Sequence, residues 1–164
     1  EDCLKVFALY QPVAVDLRYI VAILKINNDL ERIGDLAVNI AERTPYIAKY
    51  PKRDLPFVCT KMSQKAQWML KKSLDSFVNL NIEAAKAVRA ADDDVDAYFA
   101  EMHDIVKEGI RSNIEMMDYY IDMLAVARNL ERIADHATNI AEDVIYMVEG
   151  DIVRHTPYDL LPEG

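Results

Sequence analysis

The sequence predicts an all-α protein of two tandem three-helix bundles with antiparallel helices, the first bundle incomplete at its N-terminus. Three observations predict it. Apolar residues recur at spacings of three and four through most of the chain, and sustained period-two alternation is absent. Ala, Leu, Ile, Met, Glu and Lys dominate, with only four glycines in 164 residues, a composition that favours helix. Thirteen residues are nearly written twice: LERIGDLAVNIAE over Leu30–Glu42 and LERIADHATNIAE over Leu130–Glu142.

The elements follow in order. Leu4, Phe7 and Ala8 stand at helical spacing and predict a first helix from Glu1 to about Tyr10. Pro12 suits the first turn of the next helix. From there to about Ala48, Leu17, Ile20, Leu24, Leu30, Ile33, Ala37 and Ile40 outline one long amphipathic helix. TPYIAKYPKRDLP holds Pro45, Pro51 and Pro56 and reads as a linker. A helix from Phe57 to Ala91 carries Met62, Ala66, Met69, Leu70, Leu74, Phe77 and Val78 on its apolar positions. ADDDVD starts another at about Asp93, its acids complementing the positive end of the helix dipole, and that helix ends near Arg111. Ser112 and Glu115 have capping-box spacing and open the last long helix. Gly150 is placed to close it.

The organisation is therefore a partial first repeat over residues 1–49, a linker over 50–56, a complete second repeat over 57–150 and an irregular tail over 151–164. The long helix of the first repeat lacks the partners that its counterpart has. Were these 164 residues the whole protein, its apolar face would have to pack on the second repeat or on another chain.

The formal net charge of -9 argues against nucleic acid, whose phosphates recruit basic surfaces. It argues equally against unaided docking on anionic lipid. Cys3 and Cys59 have no paired spacing and read as free thiols in a reducing compartment. No apolar run approaches the ~18 residues of a membrane span. A cytoplasmic location is expected.

The duplicated stretch repeats its polar letters as faithfully as its apolar ones. Between residues 28–42 and 128–142, ten of fifteen positions match, and five of the ten are polar. At about 100 degrees per residue, Glu31, Asp35, Asn39 and Glu42 fall on the side of the helix opposite Leu30, Ile33, Ala37 and Ile40. Glu131, Asp135, Asn139 and Glu142 repeat the arrangement. The simplest reading of acids four apart is a solvated face. A face that only needs to be wet would drift, however, and Asp29, Gly34, Leu36 and Val38 have drifted to Asn129, Ala134, His136 and Thr138.

Glu31 and Asp35 stand one turn apart, as do Glu131 and Asp135, so each pair can reach one point. Their mutual repulsion becomes attraction around a hard cation, and oxygen-only donors suit magnesium, calcium, manganese or ferric iron. Asp92 and Asp96 form a further D-x-x-x-D, for which helix capping is the plain explanation. Arg32 and Arg132 read as intrahelical partners of Asp35 and Asp135, and a lone histidine such as His136 reads as structural. No Gly-rich phosphate loop, G-x-S-x-G or H-E-x-x-H is present, and no catalytic role is expected.

YQPVAVDLRYIVAILKINNDLERIGDLAVNIAE and ARNLERIADHATNIAEDVIYMVEG, with ADDDVDAY and VRHTPYD, resemble the two repeat signatures of the PhoU family of phosphate-transport regulators. The resemblance implies tandem three-helix bundles. It implies a negative regulator of phosphate uptake and of the phosphate-starvation response, acting between an ABC phosphate transporter ATPase and a sensor histidine kinase, as a homodimer. It also implies surface metal, often multinuclear iron, held by Glu31 and Asp35 in the first repeat and by Glu131, Asp135, Asp92 and Asp96 in the second. Asn39, Glu42, Asn139 and Glu142 are accessory to that metal or to a docking face. Two alternatives share the bundle: a cytoplasmic regulatory domain of a sodium/phosphate cotransporter, and a metal-dependent enzyme, which would need inward ligands.

Overall fold

A computed structural model of the chain describes residues 3, 5, 9, 10, 14–50 and 55–150. All regular elements among them are helical: α1 (Ala14–Ile47), α2 (Phe57–Asn79), α3 (Ile82–Ala90), α4 (Asp92–Ser112), a 3-10 turn (Ile114–Met116) and α5 (Met117–Glu149). Residues 3, 5, 9 and 10 are helical, and the rest of the expected first helix lies outside the described residues, as does the tail.

The second repeat is built around α5, which packs against every other helix. Its buried residues include Met123, Ala127, Leu130, Ala134, Ala137 and Ala141 along one stripe. Alanines there let α2, α3 and α4 come close, and flexible Met62, Met69 and Met102 fill the gaps between them. Ser73 and Ser76 are fully buried in α2, and each satisfies its hydroxyl by donating to a backbone carbonyl one turn back, at 2.8 Å and 2.7 Å. A small polar side chain is thus admitted to the core without an unmet donor.

The single helix expected from Phe57 to Ala91 is two. Leu80 adopts the left-handed conformation with φ 51, and its neighbour Asn81 donates its backbone N–H to the Ser76 carbonyl at 2.9 Å. Asn81 then caps α3, its side chain accepting from the Ala84 N–H at 2.9 Å. The capping box at Ser112 is also corrected. Ser112 is the last residue of α4, and Asn113 instead caps the 3-10 turn that precedes α5, accepting from the Glu115 N–H at 3.1 Å. An Asn one residue on competes well for that position, since it is among the strongest N-caps. Gly150 closes α5 as expected, with φ 80, and the Arg18 guanidinium fills the space a Cβ would need. Gly109 lies in the last turn of α4, where a side chain would collide with the Tyr120 ring. Pro45, expected in the linker, sits in the last turn of α1, where it costs the ladder one hydrogen bond near its end.

α1 lies along α5. Ala22, Ile26, Asp29, Ile33 and Leu36 are buried there, at alternating steps of four and three, with Ile40 and Ile47 partly covered. The expected stripe was centred elsewhere. Leu30 is 38% exposed and Ala37 is exposed, whereas Leu130 and Ala137 are buried. The reason is the number of partners. α5 is enclosed from two sides, whereas among the described helices α1 packs chiefly on α5, so the α5-facing half of its apolar surface is the better covered one. Leu17, Ile23, Leu24 and Val38 remain exposed with Leu30.

Candidate functional site

α3 ends at Ala90 and α4 begins at Asp92, so the two helices meet at a kinked corner of a single residue, Ala91, itself buried and right-handed at φ -85 and ψ -8. That corner presses onto the middle of α5. It places Asp92, Asp93 and Asp94 in the first turn of α4, where the helix dipole favours negative charge. Asp94 is further held by Lys65 of α2 at 2.7 Å.

Asp92 and Asp96 thereby meet the acids of α5. Burial pushes the Asp92 carboxyl up to about 6, and Asp135 and then Asp96 add repulsion. Asp135 keeps an exposed flank, but partial withdrawal from water, followed by Glu131 and Asp96, raises it to about 6 as well. Glu131 is raised by burial and then by Asp96, with Arg128 and Arg132 opposing. Asp96 is raised by burial and then by Asp93. The Thr138 hydroxyl lies against the Asp92 carboxyl and offsets part of its shift, although it falls short of hydrogen-bond geometry. Four carboxylates from two helices therefore share one field, and desolvation together with crowding opposes their ionisation. Among the described residues, no three or more His, Cys, Asp or Glu side chains converge as the ligands of one ion.

Glu142 does not belong to this open face. It is 7% exposed and pairs with Arg89 of α3 at 3.4 Å, and Arg89 is equally buried. At about 100 degrees per residue Glu142 falls opposite the apolar stripe, but Arg89 of α3, arriving from elsewhere in the chain, covers it. Asp143 beside it is 1% exposed and pairs with Lys25 of α1 at 3.3 Å. Asn139 is half-buried and lines a shallow cleft between α1 and α5 with Val21, Leu24, Lys25, Asn28 and Asp29.

In the first repeat, Glu31, Asp35, Asn39 and Glu42 are all exposed on α1. Arg32 stands 3.7 Å from Asp35, the intrahelical partner expected of it. The structure does not bring these acids to the corner that holds Asp92, Asp96, Glu131 and Asp135. His136 is structural, as expected, but its partner was missed: its Nδ1 lies 2.8 Å from the buried Asp29 carboxylate. The two repeats differ at both of these positions, Asp29 against Asn129 and Leu36 against His136. That joint change was the available signal. Arg43 to Asp122, at 2.8 Å, closes the other end of the same seam.

Helical repeats joined by a charged seam, with an acidic corner on one of them, define a class: a helical-bundle repeat protein with a surface carboxylate site. The comparisons narrow it. The PhoU domain model matches residues 1–44 and 59–144, and the chain belongs to the PhoU family. It is 37% identical over 153 residues to a Methanothermobacter thermautotrophicus protein named phosphate-specific transport system accessory protein PhoU homolog 1, covering 90% of this chain and 68% of that one. A Pseudomonas aeruginosa protein of like name is 35% identical, covering 94% and 64%. The crystal structure of PhoU from Pseudomonas aeruginosa superposes with a TM-score of 0.85 at 32% identity, covering 91% of this chain and 72% of that one. That of the phosphate transport system regulatory protein PhoU from Streptococcus pneumoniae gives 0.82 at 26% identity, covering 93% and 71%. The chain spans about two thirds of the length of these relatives. No described helix is long and apolar enough to cross a membrane.

Proposed function

We propose that the protein regulates phosphate uptake as an accessory component of a phosphate-specific transport system, restraining the starvation response when phosphate is plentiful. The observation that carries this reading is the match to relatives of that name across both repeats, about 35% identical over most of the chain. The adaptor role, between a transporter ATPase and a sensor histidine kinase, follows from the family resemblance. It suits a bundle without a nucleophile constellation and with an acidic surface that favours basic partners. Pull-down against the ATPase of a phosphate transporter tests it: the wild-type chain is retained, and failure to retain it removes the adaptor reading.

Metal is the second part of the proposal. Asp92, Asp96, Glu131 and Asp135 offer oxygen donors alone, which fits iron or another hard cation. Their raised affinity for protons supports the fit, since a bound cation supplies the positive charge that the corner lacks. The metal would supply a charge link between α4 and α5 and open positions toward a partner. Elemental analysis of purified protein should find iron or comparable uptake. Glu131→Ala with Asp135→Ala should abolish that uptake while leaving the helical signal intact. Unchanged uptake in the double variant would sink the assignment.

A further inference from the structure

At one end of the second repeat, α2 begins at Phe57 and α5 at Met117, beside the second half of α4. Between them lies a cleft of about 300 Å3, large enough for a small ligand or a long side chain. Phe57, Val58, Glu101, Ile105, Tyr119 and Tyr120 line it, and all six belong to the second repeat. Along α5, Tyr119 stands about 18 Å from Glu131 at ~1.5 Å per residue, so the cleft is separate from the acidic corner.

Its walls are aromatic and held in place. Tyr119 is buried and meets Tyr120 and Tyr50 edge to face, with ring centres 5.2 Å and 5.5 Å apart. The Tyr120 ring occupies the space of a side chain at position 109, so Gly109 is what seats it. Phe57 is 72% exposed, a large ring that the core does not use.

The charge of the cleft is one-sided. Among the described residues that line it, Glu101 carries the only charge. It is exposed and has no ion pair among the described residues. Lys107 and Arg111 on its own helix stand beside Asp104 and Glu108. Lys61 of α2 lies over the Phe57 and Tyr98 rings, 4.8 Å and 5.6 Å from their centres. Ring faces are negative and attract a cation within ~6 Å. An anion would find no Lys, Arg or His in this lining. A wholly apolar guest would strip water from the Glu101 carboxylate and put nothing in its place. A guanidinium meets both demands, because its planar face stacks on tyrosine and its forked N–H groups donate to a carboxylate.

We propose that this cleft is a binding site for a guanidinium group on a short apolar stem, held by Glu101 and packed against Phe57, Tyr119 and Tyr120. The inference is independent of the phosphate-regulatory reading and of any metal.

The test titrates n-butylguanidinium into the full chain and follows the assigned aromatic NMR signals. Saturable shifts at Phe57, Tyr119 and Tyr120 are expected. Glu101→Gln should weaken binding about tenfold, as loss of a charge-assisted hydrogen bond does. Tyr120→Leu should weaken it severalfold, with the helical signal of both variants intact. Glu108→Gln, at an exposed acid further along α4, should leave binding unchanged. n-Butylammonium has the same charge and stem without the fork, and should bind severalfold more weakly. A capped Gly-Arg-Gly peptide identifies the source of the group. Shifts of the same rings by the peptide assign it to an arginine of a polypeptide, and their absence assigns it to a free small molecule; either result keeps the site. No saturable shift with n-butylguanidinium overturns the site. Binding that ignores Glu101→Gln, or that Glu108→Gln weakens as much, reduces it to general attraction by an acidic surface and overturns it too. Equal binding of the two butyl cations overturns the choice of guanidinium.

Discussion

At the scale of single residues, identical letters in the two repeats meet different environments. Glu42 is in water, and Glu142 is sealed under Arg89. Removing the cation from a buried pair of this kind costs ~3–5 kcal/mol, whereas replacing both partners with apolar residues is often neutral. Arg89→Leu should therefore lower stability in denaturant titrations, and Arg89→Leu with Glu142→Leu should recover most of the loss. The acidic corner makes a prediction in pH. Asp92 and Asp135 ordinarily titrate at 3.8 and are raised to about 6 in the fold. Between those values the folded chain holds more protons than the unfolded one, so stability falls as pH rises through the window. The melting temperature of metal-free protein should thus decline from pH 4 to pH 6.5. Asp135→Asn should flatten that decline and raise the melting point near neutrality, and a wild-type profile without the decline would contradict the crowding.

Elements are set by their ends. The break between α2 and α3 rests on Leu80, a branched side chain in a conformation that glycine adopts freely, and on the Asn81 cap. Leu80→Gly should relieve backbone strain and be neutral or stabilising by up to ~1 kcal/mol, since Leu80 is 42% exposed and little packing is lost. Asn81→Ala should cost ~1 kcal/mol. Thermal melts of the two variants should move in opposite directions or diverge by that amount. This break also matters for the site. A continuous helix from Phe57 to Ala91 would carry Arg89 and Asp92 past α5 rather than onto it.

For the whole molecule, the question is whether α1 is a tethered strap or part of one cooperative unit. Ile26, Ile33 and Leu36 are buried against α5, and Asp29–His136, Lys25–Asp143 and Arg43–Asp122 run along the same seam. Leu36, at 3% exposed, should cost ~2–5 kcal/mol on truncation to alanine. If the seam unites the repeats, Leu36→Ala shifts the unfolding of both together, read by probes on α1 and near Trp68 of α2. Separate transitions would assign α1 to its own unit.

The periodicity of Leu17 to Ile40 and of Met62 to Met69 made the helices legible, because a 3.6-residue repeat is written locally. Gly150 and the acids at the start of α4 were legible for the same reason, since helix ends are decided by adjacent residues. The duplication showed that Glu131 and Asp135 face away from the apolar letters, and Asp92 and Asp96 could be named beside them. The family resemblance grouped these four carboxylates, but spacing alone did not show that they would share a field. That depends on a corner made by one residue, Ala91, and on where it lands on a helix some forty positions away. For the same reason Glu142 passed for a surface acid, and the pairing of Asp29 with His136 was not read from their joint drift between the repeats. By itself the sequence determined the all-helical class, most of the helices and the repetition of an acidic face, all of which short-range spacing encodes, but not the break at Leu80 or the cap at Asn113. Only the tertiary structure decided which copy of that face is crowded, which is closed by an arginine and which lies bare, because burial is conferred by partners distant in the chain.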